Sequence, residues 1–188
     1  MKGKKYMHSS DLEKYCELSI DGIGVDAKII DPDSVVTAEW VTWKCQFGCF
    51  MYGRGYCCPP ETPASEQTRK MIDCYQRAIL FHMEFPNEEG IDNQKIASKL
   101  NEALTDLEGE IFKDGFYKAF IFLGGPCSLC AGCAKLKGEP CSSGNRARPA
   151  MEACGIDVYQ TARNNGFFIK TLRDTSETRR RFCLMLVD

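Results

Sequence analysis

Apolar positions along the chain recur with two periods. Ile96, Leu100, Ala103, Leu104, Leu107 and Ile111 form one stripe at helical spacing. Asp92 is placed to cap that helix and Gly115 to end it. Met71, Tyr75, Ala78 and Ile79 suggest another helix, starting at Thr62 with Pro63 in its first turn. A short helix is expected from Ser10 to Leu18, one near Pro149, and one from Asp157 to Asn165 that stops at Gly166. Strand-like runs occupy Ala27–Ile30 and Val35–Trp43, split by Asp31-Pro32-Asp33, and Ile79–Phe85, closed by Pro86. "FYKAFIFLGG" is nearly continuous in apolar residues and reads as a central strand covered on both faces. "FFIKTL" and "RFCLMLV" read as a closing pair of strands. Strand, long helix, strand is a β-α-β unit, which implies a right-handed crossover and a parallel pair. The expected fold is α/β or α+β: a single domain over residues 1–188, a mixed sheet with helices packed on it, and two cysteine-rich metal-binding loops.

Composition narrows the function classes. The chain has 188 residues, 44% apolar and 27% charged, an ordinary soluble balance. A net charge of -2 and a pI near 5.8 give no basic surplus for nucleic acid. Arg179-Arg180-Arg181 is the one short basic run, expected to be a solvated loop. The start is basic but lacks an apolar segment of signal-peptide type, and no run approaches a membrane span. A cytoplasmic protein without membrane or nucleic-acid partners is expected. In that compartment thiols stay reduced, so twelve cysteines point to metal rather than to disulfides. The two histidines, His8 and His82, lie outside the cysteine clusters and are read as surface or packing residues. Cys74 is read as a packed thiol. Any metal is therefore held by thiolate, which selects zinc, copper(I) or iron–sulfur.

Two clusters carry the chemistry. "CSLCAGCAKLKGEPC" gives Cys127-x2-Cys130-x2-Cys133-x7-Cys141. Three cysteines at successive intervals of three wrap one compact object, the local pattern of [4Fe–4S] ligation, with zinc as the alternative. The fourth ligand is Cys141 or, as in two-cluster ferredoxins, a cysteine exchanged between sites. "WKCQFGCFMYGRGYCCPP" places Cys45, Cys49, Cys57 and Cys58 within fourteen residues. Adjacent cysteines point in different directions, so one of Cys57 and Cys58 is expected to be a bystander. That site is then one ligand short, and Cys57, Cys141, Cys154 or an outside molecule can complete it.

With "RARPAMEACGIDVYQTARNNGF", these motifs resemble a family of small cysteine-rich proteins, found mainly in anaerobic archaea and bacteria and known as predicted metal-binding proteins of unknown function. The resemblance runs from about Ala38 to Phe168. It implies metal binding through Cys45, Cys49 and Cys58, with Cys57 an extra of this sequence, and through Cys127, Cys130, Cys133 and Cys141. The third motif matches Arg148, Pro149, Met151, Glu152, Gly155, Ile156 and Asp157, with Cys154 often present. Arg148, Glu152 and Asp157 either bind a ligand or partner, or Arg148 pairs with a carboxylate and pins the cluster loop to the sheet.

Three roles follow. The first is an iron–sulfur protein with one or two [4Fe–4S] clusters that passes electrons to a redox partner protein. The second is a cluster-dependent enzyme whose open iron takes a small-molecule ligand, with Asp157, Glu152 or Tyr52 as acid or base. The third is a zinc-stapled interaction module. No phosphate loop, nucleophile elbow or Cys–His pair is present. The radical-enzyme motif fails because Tyr52 stands where its third cysteine would fall.

Overall fold

The computed structural model describes residues 10–20, 23–85, 92–174 and 176–188. His8 lies outside them. Helix α1 (Ser10–Glu13) leads into β1 (Leu18–Ile20) and β2 (Ile23–Ile30). Helices α2 (Glu39–Gly48) and α3 (Ser65–Ile72) flank the first cysteine loop. Strand β3 (Ala78–Phe85), helix α4 (Asn93–Lys113) and strand β4 (Phe120–Phe122) follow. The second cysteine loop leads to a 3-10 turn at Glu152–Cys154, helix α5 (Val158–Asn164) and strand β5 (Arg179–Leu186).

The fold is α+β. Its five-stranded sheet has the order β1-β2-β3-β5-β4, and every ladder is antiparallel. The β3-α4-β4 unit is present, and β3 and β4 run in the same direction. They are not neighbours, because β5 inserts antiparallel between them. The expected parallel pair is thus split, and β4 is an edge strand rather than a central one. The outer side of that edge is occupied. The Ile121 amide donates to Glu108 Oε2 at 2.8 Å, and Leu123 exchanges backbone hydrogen bonds with Pro149 and Met151.

Both faces of the sheet are buried, which explains the continuous apolar runs in β3 and β5. Ile79, Phe81, Met83, Cys183 and Met185 face the α4 stripe of Ile96, Leu100, Leu104 and Ile111, together with Leu12 and Tyr15. Ala78, Leu80, Phe182, Leu184 and Leu186 face Ile72, Met151, Cys154, Ile156 and Ala162. His82 takes this second side and stacks on Phe182 with ring centroids 4.7 Å apart, a packing residue as expected. Burial lowers its pKa.

Several local expectations fail for identifiable reasons. Val35–Trp43 does not form a strand, because α2 takes its second half. The Ala38 amide donates to Gly155 O at 2.8 Å, and the helix then buries only Val41. The Thr62 hydroxyl donates to Ala153 O rather than capping a helix, so α3 starts three residues later, where Gln67 Oε1 accepts from the Ala64 amide. The 167–172 segment forms no strand. It packs Phe167 against His82 and Phe182 and leaves Phe168 and Leu172 exposed. Arg179–Arg181 opens β5 instead of forming a loop. Cys74 is exposed, with its thiol on Lys70 O.

Candidate metal centre

The first thiols are set by helical geometry. Cys45 lies in the last turn of α2 and Cys49 is its C-cap, with the Cys49 amide donating to Cys45 O. A spacing of four residues puts both side chains on one face of the helix. The chain then folds back. The Gly53 amide donates to Pro59 O at 2.8 Å, and the Cys58 amide to Gly55 O. This return buries Cys57 and Cys58 beneath the loop, ahead of the cis Pro59-Pro60 bond.

The second loop leaves β4 through Gly124-Gly125. A Cβ on Gly124 would stand 2.6 Å from Arg181 Cγ and 2.7 Å from Phe182 O, so only glycine lets the chain pass β5 here. Arg181 Nη1 donates to Gly124 O at 2.8 Å and holds the crossing. Cys127 and Cys130 are exposed, and Cys133 and Cys141 half-buried. A 3-10 turn, Ala134–Lys137, separates the last two. Two side-chain contacts tie the loops together: the Tyr56 hydroxyl on Glu139 O at 2.7 Å, and Lys135 on Glu61 at 2.8 Å.

These contacts bring the two clusters to one place. Cys57, Cys58, Cys127, Cys130, Cys133 and Cys141 line one cavity of about 40 Å³ between the loops. Cys57, expected to be a bystander, directs its thiol to Cys127. This hydrogen bond raises the Cys57 pKa and lowers that of Cys127. Cys58 lies between the groups. Burial, then the neighbouring Cys49, Cys45, Cys127 and Cys133, push its thiol up to about 11. Burial, Cys49 and Glu152 raise Cys45.

The thiols surround the cavity rather than converge on a point. Among the described residues, no three histidine, cysteine or acidic side chains stand in metal-holding geometry. The donor chemistry nevertheless fits a thiolate-bound metal: six sulfurs face one space without an imidazole or carboxylate among its lining.

Cys154 stands apart. It is fully buried in the core beside Ile156 and Phe122, and burial raises its thiol to about 12, with Glu152 adding to the shift. No other cysteine is among the groups acting on it. Most of the third motif is structural. Asp157 caps α5 by accepting from the Gln160 amide, and Met151 and Ile156 are core. A Cβ on Gly155 would stand 2.6 Å from Ser65 Cβ. Arg148 donates from Nε and Nη2 to both Glu108 oxygens, which pins the end of the second loop to α4. The fully buried Glu152 carboxyl accepts from the Gly125 amide, at the start of the second loop. Its Oε2 is sealed from solvent with no hydrogen-bond partner, and burial raises its pKa.

Over residues 28–187 the sequence matches the family model described as "Predicted metal-binding protein (DUF2284)". The chain belongs to this family. Within the DUF2284 match lie both cysteine loops, α4 and the whole of β3, β4 and β5. No curated protein and no solved structure is similar to it. Among the described residues of this DUF2284 member, no helix is long and apolar enough to cross a membrane.

Proposed function

We propose that this DUF2284 protein is an iron–sulfur protein that binds [4Fe–4S] clusters through thiolates of both loops and passes electrons to a partner protein. The supporting observation is the meeting of six thiols from two distant loops around one cavity. With Cys45 and Cys49 next to Cys58, eight thiols lie in one continuous patch. Eight is what two four-thiolate clusters require. Cys45, Cys49 and Cys58 form one group, and Cys57, Cys127, Cys130, Cys133 and Cys141 the other, with Cys58 at their boundary.

When bound, such a cluster supplies reversible one-electron storage. The chain's own residues prepare its place. α2 fixes Cys45 and Cys49 on one helical face. The Cys57–Cys127 hydrogen bond favours ionisation of Cys127 over Cys57 before metal arrives. The irregular second loop can draw inward without disturbing the sheet, because Arg148 and Arg181 fix both of its ends. Asp157 is committed to its helix cap, which removes one candidate acid or base from an enzymatic reading.

Anaerobic purification followed by iron and acid-labile sulfide assays tests the proposal. Equal amounts, about four or about eight of each per chain, are expected, with visible absorption that bleaches on reduction. A colourless protein with zinc and no sulfide overturns the proposal in favour of a zinc-stapled module. A signal from reduced protein that shifts with cyanide or a small thiol would instead indicate an open iron and an enzyme.

A further inference from the structure

A second cavity lies beside the one between the thiols and is much larger. It is a groove of about 1080 Å³, running from the second cysteine loop across the first turn of α4 to the start of β5 and the 169–172 segment. That volume lies just above the range for metabolite and cofactor sites, about 300–1,000 Å³. Its charged lining is mostly basic. Arg54, Lys95, Lys170, Arg179, Arg180 and Arg181 border it, against Asp92 alone among the described residues. The Asp92 carboxylate is committed to capping α4, accepting from the Gln94 and Lys95 amides at 3.1 and 3.0 Å. Arg180 pairs with Glu84 and Lys170 with Glu177. Arg54, Lys95 and Arg179 are exposed and carry no ion pair or side-chain hydrogen bond among the described residues. They come from three separate parts of the chain. Phe50, Tyr159, Ile169 and Leu172 line the same groove and offer apolar contact to a carbon skeleton.

We infer that this groove binds a small organic anion, a molecule with an apolar or aromatic body and a phosphate or carboxylate group, beside the second cysteine loop. Three uncommitted cations around one concave space attract and orient such a group through charge-assisted hydrogen bonds. Cys127, Cys130 and Cys133 line the same groove, so the bound anion lies against the thiol patch. The inference stands on the groove's own lining and deepens the metal reading only by that proximity.

Calorimetric titration of the full chain, metal-loaded and metal-stripped, tests it with adenosine monophosphate, adenosine and succinate. The nucleotide or the dicarboxylate is expected to bind, more weakly as salt rises, and adenosine much more weakly than its phosphate ester. Phosphate and carboxylate sources are separated by which of the two binds. Arg179→Gln and Lys95→Gln, both at exposed positions, should each weaken binding about tenfold. Their circular dichroism and metal content should match the parent. The inference fails if neither anion binds, which is the result if the basic rim only balances thiolate charge. It also fails if adenosine binds as tightly as its monophosphate, or if both variants bind like the parent. Anion binding by a chain that never holds metal would keep the groove and remove the metal reading. Metal without anion binding would do the reverse.

Discussion

The two cysteine loops reach the same cavity with opposite designs. The first is built from the inside. Its thiols stand on a helix end and a tight return, and Cys57 and Cys58 are both buried. The second is built from the outside: Cys127 and Cys130 are exposed, its only regular element is one 3-10 turn, and its order comes from its ends. Gly124 and Arg181 hold the entry, and Arg148 on Glu108 holds the exit. The difference implies a division of labour. Under the proposed function, the first loop would serve as a preformed half-site and the second as a tethered cover over it.

The most severe way to break this arrangement is at the boundary. Cys58→Ser should remove most of the bound metal, read as iron per chain, because Cys58 is adjacent to both thiol groups. Cys154→Ala should keep the metal and lose only about 1–2 kcal/mol of stability from a small core cavity. Equal metal loss in both variants would mean that the core thiol is a ligand after all.

Next in size is the tether. Arg148→Ala leaves the Glu108 carboxylate nearly buried and half-satisfied, and should cost about 3 kcal/mol in urea unfolding. The metal-free protein should show the loss in full. Gly124→Ala attacks the entry instead and should cost about 1–3 kcal/mol through overpacking against Arg181 and Phe182. If the second loop is a tethered cover, both variants should also slow metal uptake, while Cys74→Ala should not.

The pH dependence separates the loops further. Burial and neighbouring thiols raise Cys45 and Cys58, so their protons must leave before metal binds. Metal uptake should therefore strengthen as pH rises from 6 to 9, with Cys127 losing its proton before Cys45 and Cys58. Cys57→Ala should shift that profile to higher pH.

The smallest effect lies far from the loops. The folded-state pKa of His82 is lowered, so the unfolded chain binds more protons below about pH 6.5, and stability should fall as pH drops through that value. His82→Phe should flatten this part of the stability profile by less than about 1 kcal/mol.

Much of the framework was legible in the sequence. The α4 stripe with its Asp92 cap, the start of α5 at Asp157 and the strands β3 and β5 follow from periodicity and end signals alone. What escaped was decided by contacts distant in sequence. β-branched and aromatic residues suggested a strand at Val35–Trp43, but docking on Gly155 favours a helix. The Cys45-x3-Cys49 spacing was the available clue, because four residues is a helical interval. Order in the sheet was equally hidden, since nothing local to β5 says that it will divide a β-α-β pair. The cysteine types and clusters were evident from spacing. That Cys57 belongs with Cys127 was not, because the contact joins residues seventy positions apart.

Glu108 has a second consequence. The outward amide of Ile121 on edge strand β4 is occupied by its carboxylate, and Leu123 is bonded to the chain around Pro149 and Met151. An apolar strand at a sheet edge would otherwise offer free donors and acceptors to any other extended chain. The salt bridge that ties down the cysteine loop therefore also closes this edge of the sheet to self-association. Loss of Arg148 would loosen that seal on the "FIFL" segment, and the first visible sign would be aggregated protein rather than missing metal.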